Sequence, residues 1–488
     1  MSNTEVQMFI DGASVPGAET YESFNPATGE PWALVANGTA ADVDTAVKAA
    51  RKALTGDWGQ LTAPARGKLL WKLASLIERD AERLAQIETR DNGKLLREMS
   101  EQMRALPDWY RYFAGMADKV TGKVVPTDKS NYLVYTQEVP VGVVAMITPW
   151  NSPLLLLTFK LAAALAAGCT AVIKPSDYTP ASTVELAKLA HEAGFPPGVV
   201  NVVTGVGPET GKALSTHPDI NKIAFTGSTE VGRAIAHAAA ENFARTTLEL
   251  GGKSAQIVFP DADLAAAANG VIAGIFAASG QTCLAGSRLI AHSSIADELV
   301  KRIVARAQTI VLGDPTDPTT EMGPLANDRQ LAKVLEHFEA ARAEGATFAC
   351  GGKQVPELGA LFVQPTVLTG LRPDARSLNE EIFGPVLSVI TFDSEDEAVA
   401  IANNTKFGLA GGVWTKDIHQ GHRVASRLRT GTVWVNTYRV VAPQVPFGGF
   451  GDSGIGRENG ADAIHAYLET KAIWIELSGK SRDPFVIG

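Results

Sequence analysis

The stretch between residues 141 and 194 decides the fold. It reads VGVVAMI at 141–147, PLLLLTFKLAAALAAG at 153–168, TAVIKP at 170–175 and PASTVELAKLAHEAG at 180–194. Short runs rich in β-branched residues predict strands, and the longer segments with apolar residues at helical spacing predict helices. The alternation predicts right-handed crossover units in a parallel sheet, which binds ligands at the carboxyl ends of its strands.

The same alternation continues along the chain. VVNVVTG, NKIAFTG and TTLEL predict three more strands, with a short helix near ETGKALS and a longer one over EVGRAIAHAAA. A second series, from SAQIVF at 254–259 to GTVWVN at 431–436, predicts another α/β domain. We place the boundary near residue 251, where Gly251 and Gly252 should free the backbone to turn.

The segments around these two series have other patterns. Residues 1–120 carry amphipathic helical patterns that should pack on the first sheet. NYLVYTQEVP at 131–140 and KAIWIEL at 471–477 are strand-like, and exposed edges of this kind often pair between subunits. We predict an α/β protein with a first domain at 1–122 and 139–250, a second at 251–447, and oligomerisation segments at 123–138 and 468–488.

Composition excludes several classes of protein. The 488 residues are 45% apolar and carry a net charge of −9 without a basic run, which disfavours nucleic acid and anionic membranes as partners. The longest apolar stretch is interrupted by Lys160 and Gly168, as in a buried helix and strand. MSNTEVQMFIDG lacks the pattern of a secretory signal, so we expect a cytoplasmic location. Three cysteines without a CxxC pair predict neither disulfides nor a metal site.

Two residues stand where chemistry is possible. Cys283 lies in SGQTCLAGSR, a tight connection between a predicted helix and a predicted strand. A lone cysteine is more often a small buried hydrophobe, which is our interpretation of Cys169 and Cys350. Glu249 ends a predicted strand at the carboxyl edge of the sheet, where a general base is useful. An exposed strand-end carboxylate is the alternative for Glu249.

Seven segments between residues 147 and 450 resemble the aldehyde dehydrogenase superfamily, in the family's order. They are ITPWN at 147–151, IKPSDYTP at 173–180, FTGSTEVG at 225–232, LELGGKS at 248–254, GQTC at 280–283, EEIFGPV at 380–386 and PFGGF at 446–450. The resemblance implies a Rossmann-type cofactor domain, a catalytic α/β domain and a small β arm for oligomerisation. It also implies NAD as cofactor, a small-molecule aldehyde as substrate, and a homodimer or homotetramer.

The resemblance assigns the catalytic residues. It implies that Cys283 is the nucleophile, and a free thiol, with a pKa of about 8.5, must be activated for that role. Glu249 would accept the thiol proton and later activate water. The side-chain amide of Asn151 and the backbone N–H of Cys283 would stabilise the oxyanion. Glu458, in GIGRENG, resembles a second carboxylate that joins a proton path.

The predicted cofactor site lies at the strand ends. Gly227 and Ser228 stand before a helix whose N–H groups and dipole attract a pyrophosphate. The resemblance puts the Lys174 ammonium on the adenosine ribose, although a strand-end lysine is ordinarily solvated. Asp177 stands where NAD-using relatives tend to carry glutamate, so its carboxylate favours NAD, while its shorter side chain leaves NADP use open.

Glu381 and Phe383 resemble the pair that holds the nicotinamide ribose and backs the ring, and Trp150 the residue beside the phosphates. A surface carboxylate and two core aromatics are the alternatives. The predicted cofactor residues are Ile147, Thr148, Pro149, Trp150, Lys174, Ser176, Asp177, Gly207, Gly211, Phe225, Gly227, Ser228, Val231, Leu250, Gly251, Glu381 and Phe383.

The substrate pocket is predicted from positions that vary in the family: Trp109, Leu156, Phe159, Tyr438 and Arg439. Arg439 is unusual, because many relatives hold neutral or acidic groups there. A cation suggests an aldehyde that bears a carboxylate or another polar acceptor. Pairing of Arg439 with a neighbouring acid is the alternative.

Three other functions fit parts of the pattern. A CoA-acylating dehydrogenase would intercept the thioester with a thiol, but the presence of Glu249 as a hydrolytic base argues against it. A binding protein on the same fold would not need Cys283, Glu249, Asn151 and Lys174 together. A thiol esterase would leave the nucleotide motifs idle.

Overall fold

A computed structural model describes residues 4–480 and 483–485 of the chain. The predicted domain segment 1–122 and the predicted oligomerisation segment 468–488 therefore extend, at residues 1–3, 481–482 and 486–488, outside the described residues. Within the described ranges, no helix combines the length and the apolar character needed to cross a bilayer.

The four helices between residues 153 and 241 lie where the sequence predicted them. The structure describes fifteen α-helices. They are α1 (Ala40–Thr55), α2 (Asp57–Gln60), α3 (Ala63–Arg79), α4 (Ala81–Asn92), α5 (Leu96–Met116), α6 (Pro153–Ala167), α7 (Ala181–Ala193), α8 (Lys212–Ser215), α9 (Thr229–Glu241), α10 (Leu264–Phe276), α11 (Ser293–Ala307), α12 (Asp328–Ala343), α13 (Arg376–Asn379), α14 (Glu395–Asn403) and α15 (Ile418–Arg427).

The strands form two large sheets and two small ones. They are β1 (Thr4–Val6), β2 (Met8–Ile10), β3 (Ala13–Val15), β4 (Glu19–Phe24), β5 (Pro31–Asn37), β6 (Tyr132–Pro140), β7 (Val143–Ile147), β8 (Thr170–Lys174), β9 (Val200–Val202), β10 (Lys222–Thr226), β11 (Arg245–Glu249), β12 (Ala255–Val258), β13 (Arg288–His292), β14 (Thr347–Cys350), β15 (Thr366–Thr369), β16 (Val386–Phe392), β17 (Ala410–Trp414), β18 (Thr432–Val435), β19 (Gly454–Ile455) and β20 (Leu468–Glu476).

The first large sheet has the order β19-β11-β10-β7-β8-β9-β2-β3, and its strands from β11 to β9 are parallel, as predicted. Helix α6 packs against β7 and β8. All residues of α6 except Leu155 are buried, because the helix is apolar on every side. The paired residues Ile147 and Lys174, and Thr226 and Glu249, bring four strand ends to one edge of this sheet.

The N-terminal segment differs from the prediction, which assigned only helices to residues 1–120. Five strands precede α1. Two of them, β2 and β3, extend the first sheet beyond β9. Each has only three residues, which is too short for the alternation of apolar and polar residues that identifies a strand in a sequence.

The second large sheet has the order β14-β15-β16-β13-β12-β17-β18, and its strands from β15 to β18 are parallel, which confirms the predicted second α/β series. After β18 the chain returns to the first sheet. Strand β19 pairs antiparallel with β11 and sets Gly454 opposite Glu249. The carboxyl end of β11 is therefore covered by the C-terminal part of the chain.

The two strand-like stretches that fit neither sheet pair with each other. Strands β6 and β20 form an antiparallel ribbon, in register from Leu468 opposite Pro140 to Glu476 opposite Tyr132. Apolar side chains remain outside on this ribbon, including Trp474 and Ile475. Pairing of the ribbon between subunits stays a prediction.

Candidate active site

Cys283 lies where two cavities meet. The strand-end cavity, of about 160 Å³, reaches from Cys283 to Gly227 and Ser228 at the end of β10. The helix-side cavity, of about 370 Å³, lies between α5, α6 and the chain around Arg439. Cys283, Asn151 and Leu156 line both cavities. A molecule in either cavity therefore reaches the same sulfur atom.

An unusual backbone presents this thiol. Ala278, Ser279 and Gly280 all have positive φ angles, of 53°, 54° and 69°. A Cβ on Gly280 would lie 2.3 Å from the Gly384 carbonyl oxygen, so only glycine fits there. The Ser279 hydroxyl donates to the Gly323 carbonyl at 2.8 Å. Left-handed residues held in this way are strained and cluster at functional sites.

Its surroundings keep the Cys283 thiol protonated. Burial, and then the carboxylates of Glu249 and Glu381, raise the pKa of Cys283 to about 12. A thiol with this pKa is neutral at pH 7, so it must lose its proton to a base when it attacks. Cys169 and Cys350 are free and buried, as expected for small hydrophobes.

Glu249 is the carboxylate with the larger electrostatic effect on that thiol, ahead of Glu381. It is only 2% exposed, and both carboxylate oxygens are buried without a hydrogen-bond partner among the described residues. The alternative of an exposed strand-end carboxylate is therefore wrong. Glu249 lines neither cavity. Its carboxylate lies next to Gly448, since a Cβ built on Gly448 would be 2.8 Å from Glu249 Oε1. A rotation of its side chain would be needed to bring the carboxylate to the thiol.

A buried ion pair lies behind Glu249. The Lys160 ammonium, on α6, donates to Glu458 Oε1 and to the Thr226 hydroxyl, each at 2.5 Å. Burial, and then the nearby Glu458, raise the pKa of Glu249 well above the usual carboxyl range. The pKa of Glu458 is also raised by burial, although Lys160 opposes the shift. Burial in this environment therefore favours the protonated form of Glu249 and makes the ionised carboxylate a stronger base.

Asn151 is the amide on the wall that both cavities share. It is 5% exposed and follows β7, close to the N-terminus of α6. Its Nδ2 donates to the Gln281 carbonyl at 2.9 Å, which fixes the amide beside Cys283. An amide nitrogen carries two N–H groups, so one donor remains for an oxygen atom in the cavity.

Gly251 and Gly252 have a role that the sequence analysis did not predict. We expected them to let the backbone turn, but neither has a positive φ angle. A Cβ on Gly251 would lie 2.3 Å from Glu381 Oε2, and one on Gly252 would lie 2.6 Å from the Cys283 carbonyl oxygen. The glycines therefore make room for Glu381 and for the loop that carries the thiol.

Glu381 and the aromatic pair border the strand-end cavity. Glu381 Oε1 accepts the Gly252 N–H at 2.8 Å. The rings of Trp150 and Phe383 meet edge to face, with centroids 5.4 Å apart. Phe383 is held at a φ of 61°. The alternatives of a surface carboxylate and core aromatics are wrong, because all three side chains line the cavity.

The sequence analysis missed three residues of this cavity: Thr226 at the end of β10, and Gln330 and Lys333 on α12. Gln330 Nε2 donates to the carbonyls of Ile382 and Phe383, each at 2.9 Å, and so holds the strained Phe383. Nothing in the local pattern of α12 marks these positions, since they face the site only through the packing of the second domain.

The turn after β10 begins a helix at the cavity. Ser228 caps α9, and its hydroxyl accepts the Val231 N–H at 3.3 Å. A Cβ on Gly227 would lie 2.4 Å from the Phe225 ring, so the glycine allows the close turn. Val231 is 47% exposed on the first turn of the helix. The free N–H groups at this helix N-terminus can donate hydrogen bonds to an anion.

Lys174 lies at the end of β8, outside the strand-end cavity. It is 3% exposed, which excludes a solvated lysine, and its ammonium donates to the Pro175 carbonyl at 2.8 Å. Burial lowers the pKa of Lys174 to about 8, and Asp177 opposes this shift. Asp177 lines a different cavity together with Tyr21 and Asp91. A Cβ on Gly211 would lie 3.9 Å from the Lys174 side chain.

The structure divides the predicted cofactor residues into two groups. The strand-end cavity is lined by Pro149, Trp150, Gly227, Ser228, Leu250, Gly251, Glu381 and Phe383. The remaining predicted residues lie around that edge of the sheet without lining this cavity: Ile147, Thr148, Lys174, Ser176, Asp177, Gly207, Gly211, Phe225 and Val231.

Leu156, Phe159 and Arg439 line the helix-side cavity, whereas Trp109 and Tyr438 do not. Trp109 lies behind Phe159, with ring centroids 5.4 Å apart, and its Nε1 donates to Asn459 Oδ1. The Tyr438 hydroxyl donates to the Leu284 carbonyl at 2.9 Å. These two aromatic side chains thus support the wall from behind.

Polar residues that the sequence analysis did not identify complete this cavity. Lys94, Glu98 and Gln102 come from α5 and the turn before it, and Ser152 precedes α6. The Lys94 ammonium donates to the Ser152 hydroxyl at 2.8 Å. In the described part of the chain, no group of His, Cys, Asp and Glu is arranged to hold a metal ion.

Comparison with known proteins places this geometry in a family. Residues 14–473 match the model of the family described as "Aldehyde dehydrogenase family". The chain is 48% identical over 487 residues to "(Z)-2-((N-methylformamido)methylene)-5-hydroxybutyrolactone dehydrogenase" of Acinetobacter baylyi, and the alignment covers 99% of each chain. It is 47% identical to an aldehyde dehydrogenase of Enchytraeus buchholzi, over 97% of this chain and 95% of that one.

The fold also matches solved structures. The NAD+ complex of an aldehyde dehydrogenase from Bacillus cereus superposes with a TM-score of 0.95 at 46% identity, over 97% of each chain. A betaine aldehyde dehydrogenase from Staphylococcus aureus in complex with NAD+ gives 0.96 at 40% identity, over 98% of this chain and 96% of that one.

Proposed function

This chain belongs to the aldehyde dehydrogenase family, and from that premise we propose that it oxidises an aldehyde to a carboxylic acid with NAD, through a thioester on Cys283. The observation that carries the proposal is that the strand-end and helix-side cavities meet at the Cys283 sulfur. In hydride transfer from a thiol adduct, the substrate is bonded to the sulfur atom on one side, and the cofactor that takes the hydride lies on the other side.

The residues of the strand-end cavity, together with Lys174 outside it at the end of β8, fit a dinucleotide. The capped N-terminus of α9 suits a pyrophosphate, and Lys174 and Glu381 suit the hydroxyls of the two riboses. Gly251 leaves the space that Glu381 occupies. Bound NAD supplies the acceptor of the hydride. In this proposal segments 1–122 and 139–250 bind the cofactor, and segment 251–447 contributes the thiol.

Asp177 supports NAD over NADP. Its carboxylate lies within electrostatic range of Lys174, the residue assigned to the adenosine ribose. A carboxylate near that ribose repels the additional phosphate of NADP.

The first chemical step joins the aldehyde to the chain. Cys283 adds to the aldehyde carbon as its thiol proton passes to Glu249, directly or through water. The carbonyl oxygen becomes an oxyanion, which the free N–H of Asn151 and the backbone N–H of Cys283 stabilise. The asparagine amide is neutral, so it stabilises this charge without a cation that would bind the intermediate too strongly to let it react further.

The second half of the reaction releases the acid. Loss of a hydride from the adduct leaves a thioester on Cys283. Glu249 first releases the thiol proton to solvent and is then free to take a proton from water. The resulting hydroxide attacks the thioester, and the thiolate leaves with the carboxylic acid as product. The two members of the buried ion pair act on Glu249 in opposite directions: Lys160 favours its charged form, whereas Glu458 raises its pKa and so favours the protonated form.

We propose further that the ribbon of β6 and β20 joins subunits into a dimer or tetramer. Trp474 on β20 and Leu477 directly after it are 54% and 62% accessible in the single chain, and they support an apolar contact of this kind. CoA acylation is the weaker alternative for the reaction, since a buried base at Glu249 suits the activation of water.

Cys283→Ala tests the proposed reaction. We expect NADH formation from propanal to be abolished, because no nucleophile remains, while calorimetry still detects NAD binding. Cys169→Ala is the matched control, since its buried thiol lies outside both cavities. Turnover by Cys283→Ala close to that of wild type would exclude covalent catalysis at this residue.

A further inference from the structure

We propose that the substrate is an aldehyde with a short carbon chain ending in a carboxylate, and that Arg439 binds this carboxylate in the helix-side cavity. The inference rests on the proposed function, because it concerns the other end of the molecule that reacts at Cys283. Arg439 and Cys283 line the same cavity.

The guanidinium of Arg439 has N–H donors that form no hydrogen bond with the described residues. Its Nη1 donates to the carbonyls of Ala273 and Ala277, at 2.9 and 3.4 Å, near the end of α10. Among the described residues no carboxylate oxygen lies within 4.0 Å of the Arg439 nitrogens, and Glu98 is the carboxylate within electrostatic range of this side chain. The Nε and Nη2 of Arg439 form no hydrogen bond with the described residues, and the side chain is half-buried. Two nitrogens on one side of a guanidinium match the two oxygens of a carboxylate.

The backbone is strained to place this side chain. Arg439 has a φ of 67°, in the left-handed region that arginine rarely adopts. The neighbouring Tyr438 holds the position, since its hydroxyl donates to the Leu284 carbonyl beside Cys283. A strained residue fixed by a second contact and lining a reaction cavity is typical of a binding role.

Two cations and two carboxylates line this cavity, and none of them forms a direct ion pair with another. Lys94 is 3% exposed, and its ammonium donates to the Ser152 hydroxyl rather than to a carboxylate. Glu98 Oε1 accepts the Ala278 N–H at 3.1 Å, and Glu98 Oε2 is buried without a partner. Glu101 is exposed at the rim. The inner wall therefore has two cations and one carboxylate, which favours a ligand with one negative charge.

The rest of the wall is apolar. Leu155, Leu156, Phe159, Val441 and Phe447 line the cavity together with these charged residues. Apolar side chains suit the methylene groups that connect an aldehyde to its distal carboxylate. A substrate with only a hydrocarbon chain would exclude water from the cavity and leave the Arg439 guanidinium unpaired. Removing water from an unpaired charged group costs free energy.

Matched substrates test the proposal. We expect wild type to prefer 4-oxobutanoate and 5-oxopentanoate to their methyl esters in kcat/KM. Arg439→Met should raise KM for the acids about 10- to 100-fold, the range expected for a lost hydrogen bond to a charged group, with kcat nearly unchanged. The esters should be affected little. Glu98→Gln should lower KM for the acids, because it removes a like charge.

The controls separate this proposal from the proposed function. Arg439→Lys should recover part of the acid preference, and Arg104→Met, on the exposed face of α5, should behave as wild type. In Cys283→Ala, calorimetry should detect succinate binding that Arg439→Met in the same background removes. Equal losses on acids and esters, or no loss, would overturn the carboxylate site while leaving aldehyde oxidation intact. Absence of NADH formation with every aldehyde would instead overturn the proposed function.

Discussion

Replacing Glu249 by glutamine removes the proposed base with little change of shape. Both carboxylate oxygens lack hydrogen-bond partners among the described residues, so the variant loses no bond that holds the fold. A positioned general base contributes about 100- to 10,000-fold to a rate, or about 2.7–5.4 kcal/mol of barrier. We expect kcat to fall within that range. NAD binding should stay close to wild type, because Glu249 does not line the strand-end cavity.

Three measurements resolve the steps. Stopped-flow absorbance follows NADH, and mass spectrometry of the quenched chain detects an acyl group left on Cys283. Fluorescence of Trp150, which lines the strand-end cavity, provides the dissociation constant of NAD. In wild type, kcat should decrease as the pH falls through the raised pKa of Glu249, because only the ionised carboxylate accepts a proton. Glu249→Gln should lose this dependence.

The matched control is Glu357→Gln, which removes an exposed carboxylate. It should retain the activity and the pH dependence of wild type. A Glu249→Gln variant that keeps wild-type kcat, or that keeps the acidic decrease, would refute the assignment of Glu249 as the base.

Two further predictions follow from the charges around the site. Asp177→Asn should raise kcat/KM with NADP relative to NAD, because it removes a charge that repels the additional phosphate. Titration with both coenzymes measures this ratio. An unchanged ratio would contradict the role of Asp177. Lys160→Met should lower the free energy of unfolding by about 3–5 kcal/mol in urea titrations, because Glu458 is left buried without its cation. The pKa of Glu458 is raised in the folded state and would rise further without Lys160, so the loss of unfolding free energy should grow with pH. The double variant Lys160→Met/Glu458→Gln should recover part of that free energy. An equal loss in the single and the double variant would contradict the argument.

Local periodicity was sufficient for most of the fold. The parallel strands β7 to β11 and the helices between them lie where the sequence predicted them, because buried strands and amphipathic helices differ in the spacing of apolar residues. The three-residue strands β2 and β3 were not predicted. A strand this short owes its conformation to its neighbours in the sheet, and not to a pattern of its own.

The candidate site was predictable where strands end. Glu249, Lys174 and Gly227 lie at one edge of the sheet because parallel strands align their carboxyl ends. Residues that approach from elsewhere were missed, such as Gln330 on α12 and Lys94 before α5. Trp109 was predicted on the pocket wall but lies behind Phe159. Position along the chain does not reveal which of two stacked rings faces a cavity.

The sequence by itself determined the alternating strands and helices of the two parallel sheets and the family motifs that single out Cys283 and Glu249. Only the tertiary structure decided that the thiol borders two cavities, that Gly251 makes room for Glu381, and that Arg439 has donors to spare. The reason is physical. Secondary structure follows from interactions between near neighbours, whereas a cavity is formed by side chains brought together from distant segments, and its space and charge exist only after they pack.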